Sequence, residues 1–322
     1  MKNVLIILTD QQRKDSLSCY GNPVCRTPNL DRLAASGLRF NRNYVANPIC
    51  MPSRLCIFTG KNIRNHGLWT NGLLINEQET VAGHFSRQGY ATATIGKLHF
   101  TPHGSGGENN MESGAYWHDQ TFPIQWHGPY WGFEHVELIL GHNHAPKAHY
   151  GEWFYKNGGT DDMLKLQRHP DNFKTGTRPL PEHLHNSAFV AERSIEFMQS
   201  SRQAGKSFFL VASFPDPHAP FVPPADTAET YAPADVVMPA GSADDLASRP
   251  PHYREHFQGQ WDRGHSARIK KPTPHGVTEA ETRDRIAKTY AMVDLVDQNV
   301  GKLLGFLTAQ GLHDETLVVF TS

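Results

Sequence analysis

The sequence contains little cysteine. Only four cysteines occur among its 322 residues, Cys19, Cys25, Cys50 and Cys56. They include no C-x2-C pair, so a zinc site built on thiolates is not expected. The N-terminal apolar run "VLIIL" is too short for the apolar core of a secretory signal or for a membrane span. We therefore expect reduced thiols and a cytoplasmic enzyme without a membrane partner.

Net charge is also nearly absent. The 31 lysines and arginines face 32 aspartates and glutamates, which leaves a formal net charge of -1. This balance gives no support to a nucleic acid or an anionic membrane as partner. The sequence is 38% hydrophobic, enough for a sizeable core and one large or two modest domains. Histidine is abundant, at 19 residues, so metal or acid–base chemistry is worth seeking.

Strand-like and helix-like segments alternate along the chain. Apolar runs predict strands at 3–10, 90–97, 207–214 and 316–322. Capping residues and periodicity predict helices over 28–36, from Pro52, over 80–89, over 183–202 and over 278–310. Stretches 101–182 and 215–275 lack periodicity, as in connections that line or cover a site. The alternation predicts an α/β fold, with a mixed, mostly parallel central sheet and helices on both faces.

Polar residues stand where several predicted strands end. They are Asp10, Lys97 with the nearby His99, and His218 in the turn "PDPHAPF". In layered α/β folds, sites gather beyond the carboxyl ends of the strands. The Asp10 carboxylate is a hard oxygen ligand suited to Ca²⁺, Mg²⁺ or Mn²⁺. Taken alone, an aspartate here is more often a turn or cap residue, and each histidine more often has an ordinary core or surface role.

The run "CMPSRLCIFTG" begins with Cys50. If Pro52 opens a helix, Cys50 lies at its N-terminal approach, where free N–H groups and the helix dipole favour negative charge. Arg54 follows about one turn later and adds a fixed cation. Together they would lower a thiol pKa or hold an anionic substrate. A nucleophile, its precursor and a buried structural thiol all remain open for Cys50, whereas Cys56 lacks such neighbours and is assigned to the core.

The same run resembles the sulfatase signature, C-x-P-S-R followed by a short segment to T-G. Four other segments are similar to elements of that family: "NVLIILTDQQRKDSLSCYG", "TPNLDRLAASGLRFNRNYV", "GKLHF" and "PDPHAPF". Over most of its length the chain therefore resembles the type I sulfatases, formylglycine-dependent members of the alkaline phosphatase superfamily. The resemblance implies an alkaline-phosphatase-like fold and hydrolysis of a small-molecule sulfate ester.

The resemblance also implies a role for Cys50. In sulfatases the signature cysteine is oxidised to formylglycine by a formylglycine-generating enzyme, which recognises the proline and arginine of the motif. Cys50 would then be a precursor, and the hydrated aldehyde the nucleophile. One hydroxyl of the hydrate attacks sulfur and expels the alcohol. The other collapses to the aldehyde and ejects sulfate, so covalent catalysis has a built-in release step.

A metal site follows from the same family pattern. Asp10, Gln11 and the modified Cys50 would bind one divalent ion, Ca²⁺ with Mn²⁺ or Mg²⁺ as alternatives, which polarises the sulfate oxygens. Gln11 stands where many sulfatases have a second aspartate. Its amide oxygen can coordinate a metal, but it brings one negative charge less, which affects metal identity and affinity.

The remaining roles are also implied by matching motifs. Arg54 would keep the nucleophile ionised, and Lys97 with His99 would bind the sulfate and a diol hydroxyl. His218 would bind the sulfate and neutralise the leaving oxygen. Asn71, in "TNG", is a lesser candidate for substrate binding.

In this family a strand like "TLVVFTS" is followed by an Asp-His-Gly or Asp-Asn-Gly turn with two more metal ligands, and then by a catalytic lysine. The sequence stops at Ser322, before that point. We therefore expect residues 1–322 to be an N-terminal catalytic domain, truncated before the last metal-binding turn and a smaller C-terminal domain. Such a chain should not assemble a complete metal site.

Three other functions remain open. A phosphonate monoester or phosphodiester hydrolase of the same superfamily would share the formylglycine and the metal. The Asp10-Gln11 pair keeps that alternative open, whereas the Lys97 and His99 pair, typical of sulfatases, argues against it. An enzyme using unmodified Cys50 and a non-catalytic binding protein are the others. The sequence does not indicate which alcohol the sulfate ester carries, nor the oligomeric state.

Overall fold

The structure, a computed structural model, describes residues 2–104, 106, 110–118, 122–141, 146–169, 172–239, 247–251 and 278–322. The strands are β1 (Asn3–Leu8), β2 (Ala91–Gly96), β3 (His135–Leu138), β4 (Gln167–His169), β5 (Asn172–Thr177), β6 (Phe208–Ser213) and β7 (Thr316–Thr321). The helices are α1 (Pro28–Ser36), α2 (Cys50–Thr59), α3 (Ile63–His66), α4 (Val81–Arg87), α5 (Ala148–Lys156), α6 (Asn186–Gln203), α7 (Ala225–Ala228) and α8 (Glu279–Ala309). None of the helices described is long and apolar enough to cross a membrane.

A five-stranded sheet forms the centre of the fold. Its strand order is β3-β2-β6-β1-β7, and every pairing between these strands is parallel. Parallel neighbours need long crossover connections, which the helices supply. A separate two-stranded ribbon, β4-β5, is antiparallel. The predicted α/β fold is confirmed, and the part of the central sheet that is described is wholly parallel.

Helices cover both faces of this sheet. Successive residues of a strand point to opposite faces, so the fully buried β6 can serve two cores at once. Leu210 and Ala212 belong to one core, shared with residues of α1, α6 and α8. Phe209 and Val211 belong to the other, where they meet residues of α2 and α4. This double burial keeps the ends of β1, β2 and β6 in fixed positions.

Helix α1 depends on α8 for its cap. No side chain at its own N-terminus makes a capping hydrogen bond. The buried carboxylate of Asp297 on α8 accepts the N–H groups of Asn29, at 3.1 Å, and Leu30, at 2.8 Å. A carboxylate at this end accepts two N–H groups that have no partner within the helix, and its negative charge interacts favourably with the helix dipole. Helix α8 has its own capping box, made by Thr278 and Glu281.

The sequence did not predict the strands and the helix that lie within stretch 101–182. Strand β3 is only 4 residues long, and α5, "AHYGEWFYK", is rich in aromatic residues rather than clearly periodic. The ribbon β4-β5 was also missed, since its residues form no apolar run. Of stretch 215–275, residues 240–246 and 252–275 lie outside the described part.

Edge strand β3 is tied to α6 by a buried ion pair. Arg193 donates to both carboxylate oxygens of Glu137 at 2.8 Å, and His135 Nε2 lies 2.9 Å from Glu137 Oε1. Burial alone would raise the pKa of Glu137, but the hydrogen bonds of His135 and Arg193 lower it to about 2. Because the pKa of Glu137 is lowered by folding, this stabilisation is fully present above its pKa in the unfolded chain, about 4.5. It is lost as the pH falls toward 2.

We expect Arg193→Ala to lower the free energy of unfolding at pH 7 by about 2–4 kcal/mol, because the buried Glu137 loses its guanidinium partner and keeps the contact with His135. The difference from wild type should shrink as Glu137 becomes protonated below pH 4. Urea denaturation at pH 7 and pH 3 measures both effects. Arg202→Ala, on the exposed side of the same helix, is the control. An equal effect of the two substitutions would contradict the account.

Candidate active site

A cleft of about 460 Å³ opens where β1 and β7 end and α2 begins. This is the carboxyl edge of a parallel sheet, where sites in such folds usually lie. Its polar and charged lining consists of Thr9, Asp10, Gln11, Gln12, Asn47, Cys50, Ser53, Arg54, Asn71, His218 and Ser322. Its apolar lining consists of Leu8, Val45, Pro48, Ile49 and Ile57. Six residues singled out from the sequence therefore share one cleft, namely Asp10, Gln11, Cys50, Arg54, Asn71 and His218.

Cys50 is the first residue of helix α2. The helix begins two residues earlier than predicted, since Pro52 is tolerated in the first turn, where backbone N–H groups have no helical acceptor. Asn71 Nδ2 lies 3.2 Å from Cys50 Sγ, and Asn71 Oδ1 accepts the Met51 N–H at 3.2 Å. The Asn71 amide thus caps the first turn and contacts the thiol, which fixes the position of residue 50 relative to the helix.

Behind Cys50 lies a buried cluster of charges. Lys97 Nζ is 2.5 Å and Arg54 Nη2 is 3.2 Å from Asp10 Oδ2. Burial raises the pKa of the Asp10 carboxyl, but the charges of Arg54 and Lys97 outweigh burial and hold that pKa well below its usual range. Burial lowers the pKa of Lys97, and the neighbouring Asp10 opposes that shift. Two cations and one carboxylate leave the cluster positive, as a site for an anion requires.

Ser213, at the end of β6, completes the support of Arg54. Arg54 Nη1 donates to Lys97 O at 2.5 Å and to Ser213 Oγ at 3.0 Å. None of the three hydrogen bonds made by the guanidinium goes to Cys50. Gly96 permits this packing, since its φ is 110° and a Cβ there would lie 1.9 Å from Ser213 O. Sequence reasoning missed Ser213, and its only signal is a polar residue at the end of an apolar strand.

The two candidate histidines occupy different places. His218 lines the cleft in the turn after β6, with Nδ1 2.6 Å from Ala219 O. Burial lowers the pKa of His218, and the charge of Lys97 adds to that effect. His99 is 5% exposed and does not line the cleft, and its ring stacks on that of His103 at 4.4 Å. Lys97, fully buried, is also absent from the cleft wall.

The cleft contains ligands for a hard cation. Asp10 contributes a carboxylate, and Gln11 is exposed on the cleft wall with a left-handed backbone, φ 61°. Gln12 Oε1 is buried and has no hydrogen-bond partner among the described residues. Carboxylate and amide oxygens are ligands that Ca²⁺, Mg²⁺ and Mn²⁺ accept, so the donors present fit such an ion. Sequence analysis singled out Gln11 and missed the adjacent Gln12.

Another grouping with metal-like spacing lies outside the cleft. It consists of His127, His135 and Glu137, whose potential ligand atoms all lie within 4.8 Å of one another. Both carboxylate oxygens of Glu137 already accept hydrogen bonds from Arg193. We therefore interpret this grouping as part of the ion pair that ties β3 to α6.

The cysteines distant from the cleft show no sign of reactivity. All four thiols are free of disulfides. Cys56 was assigned to the core, but it is only half-buried, with Sγ 3.2 Å from His66 Nε2. Burial raises the pKa of the Cys56 and Cys25 thiols, which therefore stay protonated at neutral pH.

Known proteins resemble this chain along its whole length. The sulfatase family model matches residues 2–322. An uncharacterised sulfatase of Escherichia coli, YidJ, is 28% identical over 99% of this chain, and an arylsulfatase of Clostridium perfringens is 29% identical over 99%. The chain spans 56% and 62% of the length of these two relatives.

The fold has a solved counterpart. A phosphonate monoester hydrolase of Agrobacterium radiobacter superposes with a TM-score of 0.74 at 22% identity, covering 99% of this chain and 62% of its own. At that identity the match concerns the fold alone, and it agrees with the parallel sheet flanked by helices. The match of the family model across the whole sequence shows that the chain belongs to the sulfatase family.

Proposed function

We propose that this protein is a sulfuric ester hydrolase that cleaves a sulfate monoester with a formylglycine derived from Cys50 and a divalent metal. The observation that carries the proposal is the position of Cys50. It is the first residue of helix α2 and lines a cleft that is also lined by Asp10, Arg54 and His218. A formylglycine-generating enzyme is the partner that this maturation requires.

The surroundings of residue 50 suit an anionic nucleophile and an anionic substrate. The N-terminus of α2 offers the positive end of the helix dipole, although the Met51 N–H is already bound by Asn71 and Pro52 has none. Arg54 and Lys97 add fixed positive charge, of which Asp10 neutralises only part. Asn71 contacts the side chain of residue 50 and would orient the hydrated aldehyde or a sulfate oxygen.

His218 is proposed to act on the leaving group. Its ring is oriented by the contact of Nδ1 with Ala219 O, and it lines the same cleft as Cys50. The protonated imidazole would donate a proton to the alcohol oxygen as the ester bond breaks. Lys97 and His99, which do not line the cleft, would act on the sulfate from behind its wall, Lys97 through its charge next to Asp10.

The proposal includes one divalent metal. When bound, it would polarise the sulfate oxygens and the nucleophile. Asp10 and Gln11 would hold it, and the buried oxygen of Gln12 is a further ligand. Ca²⁺ takes about 6–8 oxygens, more than these residues supply. We therefore propose that further oxygen ligands complete the site in the whole protein.

We expect the whole protein to contain one Ca²⁺, or Mn²⁺ or Mg²⁺ in its place, because the ligands in the cleft are oxygens. Dialysis against a chelator should abolish turnover, and one of these ions should restore it. Elemental analysis before and after dialysis identifies the ion. Stoichiometric zinc bound to thiolates, or full activity after complete removal of divalent ions, would refute this part of the proposal.

A phosphonate monoester or phosphodiester hydrolase is the second candidate. Gln11 in place of an acidic residue leaves the metal less neutralised, and the fold resembles that of a phosphonate monoester hydrolase. Use of an unmodified Cys50 thiol and non-catalytic binding are further alternatives from different classes.

Two substrates with the same leaving group separate these functions. We expect p-nitrophenyl sulfate to give a higher kcat/KM than p-nitrophenyl phenylphosphonate with the whole, modified protein. The reverse order would favour the phosphonate hydrolase. Turnover of neither ester by protein whose residue 50 is fully modified would refute both, and would favour a binding protein.

A further inference from the structure

Glu112 is a buried carboxyl group with no role in the reaction described above. It lies after β2, is 1% exposed, and accepts three consecutive backbone N–H groups. Oε2 accepts from His99, while Oε1 accepts from Phe100 at 2.8 Å and from Thr101 at 3.1 Å. Consecutive N–H groups that converge in this way form an anion-binding concavity, which is filled here by a side chain of the same protein.

The backbone held by Glu112 is in an unfavourable conformation. His99 has φ 57°, in the left-handed region that residues with a Cβ rarely adopt. Such a conformation persists only where the surrounding structure imposes it. The three hydrogen bonds to one carboxylate are the local contacts that impose it, since they require the N–H groups of residues 99–101 to point to one side.

The loop that carries Glu112 also restrains the ring of His99, through the backbone carbonyl of residue 112 rather than through its carboxylate. Glu112 O lies 2.9 Å from His103 Nδ1, and the imidazoles of His103 and His99 stack with an interplanar angle of 7°. The Thr101 hydroxyl donates to Asn110 Oδ1 at 2.6 Å, which ties the segment to the same loop a second time. Both the backbone and the ring of His99 are therefore fixed from residues 110–112.

The restrained segment leads directly from the charge cluster. Lys97 is two residues before His99, with Nζ against Asp10 and its carbonyl against Arg54. Burial raises the pKa of Glu112 to about 7, although the N–H groups of residues 99–101 favour its ionised form. The ionised form of Glu112 is therefore costly in these surroundings, and perturbed pKa values of this kind cluster at functional sites.

We propose that Glu112 is a positioning residue, whose buried carboxylate sets the backbone of residues 99–101 and thereby places His99 and Lys97 for the reaction. The inference rests on the proposed function and does not make Glu112 itself a catalytic residue. Sequence reasoning could not find it, because Glu112 lies in a stretch without periodicity and its acceptors become evident only in the fold.

The test compares Glu112→Gln with Glu134→Gln, an exposed glutamate in the same connection between β2 and β3. The amide keeps the shape of Glu112 but leaves one oxygen to serve three donors. We expect kcat for the better of the two esters to fall about 10²-fold through misplacement of His99. We expect KM to stay within about threefold of wild type, because the residues that line the cleft, Arg54, Asn71 and His218, are unchanged, whereas the misplaced His99 acts on the transition state. Glu134→Gln should match wild type in both constants.

Hydrogen exchange gives a readout that does not depend on turnover. Amides 99–101 should lose protection in Glu112→Gln by about tenfold or more and keep it in Glu134→Gln, as judged by mass spectrometry of peptides covering 97–103. Glu112→Asp retains the charge but shortens the side chain, so its kcat should lie between those of wild type and Glu112→Gln. If the glutamine variant fails to fold, Glu112→Asp carries both measurements.

The outcomes separate the inference from the proposed function. A folded Glu112→Gln with kcat within about twofold of wild type would overturn the inference and leave the function intact. A wild type that hydrolyses neither ester would refute the proposed function. In that case retained protection of amides 99–101 in Glu112→Gln would overturn the inference too, and lost protection would support the anchoring of the segment.

Discussion

Cys50→Ala should abolish hydrolysis of every sulfate ester by the whole protein. Alanine cannot be converted to an aldehyde, so no hydrate is available to attack sulfur. In other enzymes, removal of an essential nucleophile lowers kcat by about 10⁶-fold, and we expect a loss of that order here. Initial rates with p-nitrophenyl sulfate measure the effect, after circular dichroism has verified that the variant is folded.

Cys56→Ala is the matched control, because both cysteines belong to helix α2 and Cys56 does not line the cleft. It removes the contact with His66 and should cost at most about 1 kcal/mol of stability, with kcat unchanged. Equal activity of Cys50→Ala and wild type would refute the proposed mechanism. A loss of activity in both variants alike would point to the helix rather than to residue 50.

Asp10→Asn should have the second largest effect, because it acts on stability and on the metal together. The substitution leaves Arg54 buried beside Lys97 without the carboxylate that both contact. Breaking a buried pair in this way costs about 3–5 kcal/mol. Lys97 can limit the cost by losing its proton, whereas Arg54 cannot. The variant should also bind Ca²⁺ far more weakly than wild type.

Urea denaturation at pH 7 in the presence of a chelator measures the effect on stability alone, and calorimetric titration measures the affinity for Ca²⁺. Asp15→Asn is the control. Asp15 also pairs with an arginine, Arg13, but on the exposed surface, where such a pair is worth about 0–1 kcal/mol. If Asp10→Asn were as stable as Asp15→Asn and bound Ca²⁺ like wild type, the assignment of Asp10 would be wrong.

The strand ends could be predicted because local signals and tertiary environment agree there. An apolar run such as "NVLIIL" is buried on both faces, and the polar residue that follows it must lie at the edge of the sheet. This is why Asp10 and Lys97 could be assigned to the carboxyl ends of strands, at the same edge of the sheet, without a structure. The start of α2 was predicted two residues late, since proline is a weak guide to which residue of the first turn it occupies.

The supporting residues could not be predicted in the same way. Ser213 and Gln12 have ordinary positions in the sequence, and only the packing of β6 and β1 brings them to Arg54 and the cleft. Glu112 contacts residues 11 to 13 positions earlier through a loop without periodicity. His99 was grouped with Lys97 because both follow β2, yet neither lines the cleft, and no local pattern signals the left-handed backbone of His99. Such features depend on contacts that no local pattern encodes.

The most direct test of the central claim is the mass of the tryptic peptide 43–54, "NYVANPICMPSR", in which Cys50 is the only cysteine. It should be measured in a preparation that hydrolyses p-nitrophenyl sulfate, made in cells that contain a formylglycine-generating enzyme. We predict a peptide about 18 Da lighter than the unmodified one, as conversion of the thiol to an aldehyde requires, and resistant to alkylation. An active preparation in which this peptide carries only intact, alkylatable Cys50 would contradict the proposal that formylglycine is the nucleophile.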